Sequence, residues 1–78
     1  MAISSAVVKF KRGAENSVRQ ELSEVAGVEV EMTTPQGDFI IIVEAKKIDA
    51  LHETYLKIEK LKGVIGVYPS YVTTEDEE

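Results

Sequence analysis

The chain has no cysteine. That excludes disulfides, thiolate metal centres and cysteine nucleophiles. A small domain without such staples fits a reducing compartment. It has one histidine, His52. A lone imidazole cannot build a metal site, no second ligand stands at the required spacing, and nothing equips it as a general base. No apolar run approaches the roughly 20 residues that span a bilayer. The longest, Phe39-Ile40-Ile41-Ile42-Val43, is strand-sized. Met1-Ala2-Ile3-Ser4-Ser5 offers neither a basic region nor a long apolar stretch, so no secretory signal is expected. Positive charge is in the minority, with 9 Lys and Arg against 14 Asp and Glu and a net charge of −5. An acidic surface repels phosphate backbones, which argues against nucleic acid and for a partner bearing Arg or Lys.

Signatures of chemistry are equally scarce. Gly27, Gly37, Gly63 and Gly66 match no phosphate-loop or dinucleotide spacing. Lys11-Arg12-Gly13 is a basic loop too short to mark a phosphate site. Asp38 and Glu44 stand too far apart along one strand to act as a catalytic pair. Tyr68 and Tyr71 lack the basic neighbours of sheet-face RNA binders. No residue set carries catalysis, and neither a metal nor a cofactor is expected.

What is present is alternation. Its 78 residues make one domain, expected over 1–73, with Glu75-Asp76-Glu77-Glu78 ending a solvated acidic tail over 74–78. A chain this size buries only roughly 60% of its unfolded surface, so a groove or open sheet face is easier to build than a deep pocket. Ile3 to Phe10 reads as a strand. Val18, Leu22 and Val25 recur at helical spacing, and Gly27 is the expected helix stop. Val28-Glu29-Val30-Glu31-Met32 alternates as a half-buried strand. Thr34-Pro35-Gln36-Gly37 supplies a turn. Asp38 to Ala45 then reads as a central strand.

Ile48, Leu51, Tyr55, Ile58 and Leu61 form the stripe of a second helix over about 48–61. Gly63 ends it. The last strand covers 64–73, and Pro69 assigns it to a sheet edge. A weak repeat links the halves: Val25-Ala26-Gly27-Val28-Glu29-Val30 echoes Leu61-Lys62-Gly63-Val64-Ile65-Gly66. The expectation is an α+β, ferredoxin-like βαββαβ fold. It has a four-stranded antiparallel sheet of order 4-1-3-2 and both helices on one face.

One sheet face is then left open. Parity places Val28, Val30 and Met32 inward, opposite Val43, Ile41 and Phe39. Ala6, Val8 and Phe10 join them. The open face receives Ser5, Val7 and Lys9 from the first strand, Glu29, Glu31 and Thr33 from the second, and Ile40, Ile42 and Glu44 from the third. In the last strand, alternation turns Gly66, Tyr68 and Ser70 inward unless a bulge near Gly66 reverses it. The candidate binding surface is Val7, Lys9, Glu29, Glu31, Ile40, Ile42 and Glu44. An apolar strip beside carboxylates suits an amphipathic, arginine-bearing segment, because Arg pairs bidentately with carboxylate. Outward glutamates equally describe a plain solvated face, and the isoleucines equally describe a surface covered by a second copy.

Three segments carry a family resemblance: Gly27-Val28-Glu29-Val30, Gly37-Asp38-Phe39-Ile40-Ile41-Ile42-Val43-Glu44-Ala45, and Leu61-Lys62-Gly63-Val64-Ile65-Gly66-Val67. In length, order and local pattern the chain resembles the NapD family from about Ser4 to Val72. The resemblance implies a cytoplasmic, ferredoxin-fold chaperone of the periplasmic nitrate reductase. Such a protein binds the twin-arginine signal peptide of the catalytic subunit as a helix against the sheet. It thereby blocks export until the molybdenum cofactor and iron–sulfur cluster are inserted. On that implication Glu29, Glu31 and Glu44 attract the arginines, and Val7, Ile40 and Ile42 hold the apolar stretch. The chain is expected to be a monomer or weak dimer and not to enter the membrane. Tyr68-Pro69-Ser70-Tyr71 departs from the smoother strand expected of the family. The alternatives are a small-molecule-sensing module of the same fold, usually attached to another domain, and a homo-oligomeric scaffold.

Overall fold

The computed structural model describes residues 2–73, so the expected acidic tail over 74–78 lies outside the described residues. The elements follow as β1 (Ala2–Phe10), α1 (Glu15–Ser23), β2 (Val28–Thr33), β3 (Phe39–Ala45), α2 (Ile48–Glu59) and β4 (Val64–Thr73). The sheet order is β2-β3-β1-β4 and every pairing is antiparallel. This is the expected βαββαβ arrangement. Pro69 falls in β4, an edge strand, where the ladder donor it lacks is not needed on the outer side.

Alternation in β1 sends Ala2, Ser4, Ala6 and Val8 into the core, all fully buried. Phe39, Ile41 and Val43 of β3 meet them, and Val18, Leu22, Leu51 and Ile58 close the core from the helices. Each large aliphatic side chain buried here contributes about 1.5–3 kcal/mol relative to exposure. Ser4 is the polar exception among the described residues. Its hydroxyl is satisfied by the Tyr55 hydroxyl of α2 and by the Ser5 carbonyl, to which it donates at 3.3 Å. Burial raises the Tyr55 pKa above its ordinary value, and the Ser4 hydrogen bond works in the opposite direction. At the other end of the core Phe10 stacks on Phe39, with ring centroids 4.6 Å apart. The Arg19 guanidinium lies 4.9 Å from the Phe39 centroid and donates to Thr33 Oγ1 at 3.1 Å.

The internal repeat is structural as well as sequential. Val28 N–H donates to Val25 C=O, and Val64 N–H donates to Leu61 C=O, each at 3.2 Å. The Gly27 carbonyl accepts from Glu44 N–H, and the Gly63 carbonyl accepts from Lys11 N–H, each at 2.8 Å. Each half therefore leaves its helix by the same turn and pins that turn to a neighbouring strand.

Five expectations are corrected. Helix α2 stops at Glu59, two residues before the expected end. Gly27 and Gly63 lie three residues beyond the helix caps, Glu24 and Lys60, so they serve the turns that follow and not the helix ends themselves. Ile48 opens α2 but is 42% exposed, so the buried stripe of the helix begins at Leu51. Met32 does not face the core. A bulge at Glu31 inserts an extra residue after Val30, so Met32 pairs with Ile40 and Thr33, expected on the open face, pairs with Phe39 on the helix side, where it accepts from Arg19. Met32 is 51% exposed as a result.

Candidate functional site

Residues directly opposite in an antiparallel ladder share a face, so the register gives the composition of the open surface. One row joins Ile3 of β1 to Glu44 of β3. The next joins Ser5, Ile42 and Glu29 across β1, β3 and β2. A third crosses the whole sheet as Met32, Ile40, Val7 and Tyr68. Beyond it stands Lys9, paired with Gly66 in the ladder. Side chains along a row stand about 4.5–5.5 Å apart, so the third row is a continuous apolar band.

The alternative left open for β4 is resolved. Ile65 is the extra residue between the Lys9–Gly66 and Phe10–Val64 pairs. That bulge turns Val67 onto the core and Tyr68 outward, where it is 52% exposed. Met32 and Tyr68 are thus the site residues that sequence parity missed. Both were moved to the open face by a bulge, and the only signal was the glycine after Ile65.

The charges are unevenly distributed. Glu29 and Glu44 are exposed and stand beside Ile42, where the three line a hollow of about 180 Å³ together with Gly27 and Val28. Neither forms an ion pair among the described residues. Glu31, the bulged residue, has no partner in the ladder and stands outside that hollow. At the opposite end Lys9 Nζ lies 3.2 Å from Asp38 Oδ2, so the expected cation of the site is already neutralised. The expected set therefore divides. Glu29, Ile42 and Glu44 come together at one corner. Val7 and Ile40 belong to the apolar band, Lys9 is bound to Asp38, and Glu31 stands at the strand edge.

This arrangement sets exposed carboxylates beside an apolar band, a surface suited to binding. Among the described residues no group of three or more His, Cys, Asp or Glu side chains could hold a metal. His52 is exposed on α2, away from the sheet's open face. No described helix is long and apolar enough to cross a membrane. The hollow around Lys11, Arg12 and Lys62 also contains Glu21 and Glu24, so its charges oppose one another.

No curated protein matches the chain. Among solved structures, the chain is similar to the E. coli Tat proofreading chaperone protein NapD, determined in solution. The identity is 27%, the TM-score is 0.82, and the match covers 97% of this chain and 81% of that one. The sequence profile of the family described as NapD protein matches residues 1–76. The chain belongs to the NapD family.

Proposed function

We propose that this protein is a cytoplasmic chaperone that binds the twin-arginine signal peptide of the periplasmic nitrate reductase catalytic subunit. It holds the precursor back from export while cofactors are inserted, and it catalyses no reaction itself. The observation that carries the reading is the open sheet face, where unpaired Glu29 and Glu44 adjoin the apolar band of Met32, Ile40, Val7 and Tyr68. Family membership and the relative described as a Tat proofreading chaperone support it.

A twin-arginine peptide has the complementary composition, with cations at one end and apolar residues beyond. Guanidinium groups engage carboxylates through two parallel hydrogen bonds, which lysine cannot reproduce. The apolar stretch covers isoleucine and valine surface and stabilises the complex by about 25 cal/mol per Å² removed from water. The two contributions divide the work: the apolar band supplies most of the affinity and the carboxylates supply selectivity for arginine.

The test is calorimetric titration of the full chain with the nitrate reductase signal peptide, beside a peptide with both arginines changed to lysine. Binding at about 1 μM or tighter, about −8 kcal/mol, weakened by the lysine change, is expected. Absence of binding to the arginine peptide overturns the proposal.

A further inference from the structure

The open face has a direction, and the direction assigns an orientation to whatever cationic, apolar segment it holds. The inference rests on the peptide-binding reading above. Carboxylates with no ion pair among the described residues occupy one end of the sheet: Glu44 opposite Ile3 at the start of β1, and Glu29 opposite Ile42 beside it. At the other end the open face carries Lys9, whose ammonium is already held by Asp38 at 3.2 Å. Between them the apolar band widens across all four strands, from Met32 to Tyr68.

The geometry points to a signal peptide seated diagonally, its twin arginines over Glu29 and Glu44 at the β2–β3 corner and its apolar stretch running toward Tyr68 on β4. The reverse seating would place both arginines over the closed Lys9–Asp38 pair, where a further cation meets a lysine. It would also lay apolar side chains across two unpaired carboxylates, stripping them of water without replacement hydrogen bonds.

The span follows from the register. Glu44 and Ile40 lie four residues apart on β3, about 14 Å at about 3.4 Å per residue, and β4 lies two strand spacings from β3, about 10 Å. The diagonal is about 17 Å, which a helix covers in about 11 residues at 1.5 Å each. The arginine pair and the residue over Tyr68 are therefore separated by about three turns. Tyr68, an aromatic with a polar tip standing half out of the surface, closes the far end of the apolar band.

The test uses the intact protein, isotopically labelled, with two synthetic signal peptides that each carry one nitroxide. In one the label precedes the arginine pair, and in the other it stands about 11 residues beyond it. The chain has no cysteine, so a label on a peptide cysteine stays on the peptide. The first peptide is expected to broaden the amide signals of Glu29 and Glu44 more strongly than those of Gly66 and Tyr68. The second is expected to do the reverse. The opposite pattern, or equal broadening at both ends from each peptide, overturns the orientation while leaving peptide binding intact. Saturable shifts with no broadening near either end place the peptide off this face and overturn the orientation too. If neither peptide perturbs any signal, the peptide-binding reading itself fails.

Discussion

Gly27 joins the fold to the site, and replacing it with alanine measures the joint. Its φ is +83°, in the left-handed region. A Cβ there would lie 2.4 Å from the Glu44 carbonyl oxygen, inside any permitted contact. Two costs combine. A non-glycine residue in the left-handed region costs about 1–2 kcal/mol. Relieving the overlap also requires β3 to withdraw by about 1 Å, which breaks the 2.8 Å bond from Glu44 N–H to Gly27 C=O and costs about 1 kcal/mol more.

Gly37 is the matched control, with φ of +92° and nothing within 4 Å of an added Cβ. Urea unfolding should find Gly37→Ala less stable by about 1–2 kcal/mol and Gly27→Ala by about 2–3 kcal/mol, with unchanged m-values. Only Gly27→Ala displaces the Glu44 backbone, so it alone should also weaken signal-peptide binding when titrated under folded conditions. Equal destabilisation by the two substitutions would refute the close-approach argument. Full peptide affinity in Gly27→Ala would refute the link to the site.

Other substitutions separate stability from binding. Ile41→Ala empties a fully buried position and should cost about 2–5 kcal/mol in denaturant unfolding. Glu44 is exposed and forms no ion pair among the described residues, so Glu44→Lys should change stability by less than about 0.5 kcal/mol. Stopped-flow binding should reveal a slower association whose deficit shrinks with salt. Met32→Ala and Tyr68→Ala remove half-exposed side chains and should weaken peptide titrations while leaving urea midpoints nearly unchanged.

Tyr55 predicts a pH dependence. Its folded pKa is raised by burial, partly opposed by the Ser4 hydrogen bond, so the native state holds the proton more tightly than the unfolded chain. Its contribution is complete below the ordinary tyrosine value of about 10. It is lost as pH rises through the higher folded value. The stability gap between the parent protein and Tyr55→Phe should therefore narrow between pH 8 and pH 11 in urea midpoints.

The sequence was most informative where one rule decided the outcome. Alternation through Ala6, Val8, Phe39, Ile41 and Val43 specified the core side, and Pro69 specified an edge strand. Val7, Ile40 and Ile42 followed from the same parity. It was least informative where a single inserted residue reversed parity. The bulge at Glu31 exposed Met32, and the bulge at Ile65 turned Tyr68 outward. Both additions lie on the open face, so the apolar band is wider than alternation alone indicates. Lys9 was legible as an open-face residue. Its partner Asp38 was not, because only the β1–β3 register, which pairs Val8 with Phe39, sets Asp38 opposite Lys9. Ile48 fits the helical stripe, yet periodicity alone does not tell which end of the stripe is left 42% exposed.

The central claim is that the open sheet face, and not the helical face, receives the signal peptide. Amide chemical-shift mapping of the full chain during titration with the twin-arginine peptide tests it most directly. The account predicts the largest shifts at Val7, Glu29, Ile40, Ile42, Glu44 and Tyr68, with Arg19 and His52 on the helices unmoved. Shifts concentrated on α1 and α2, with the open face silent, would contradict it.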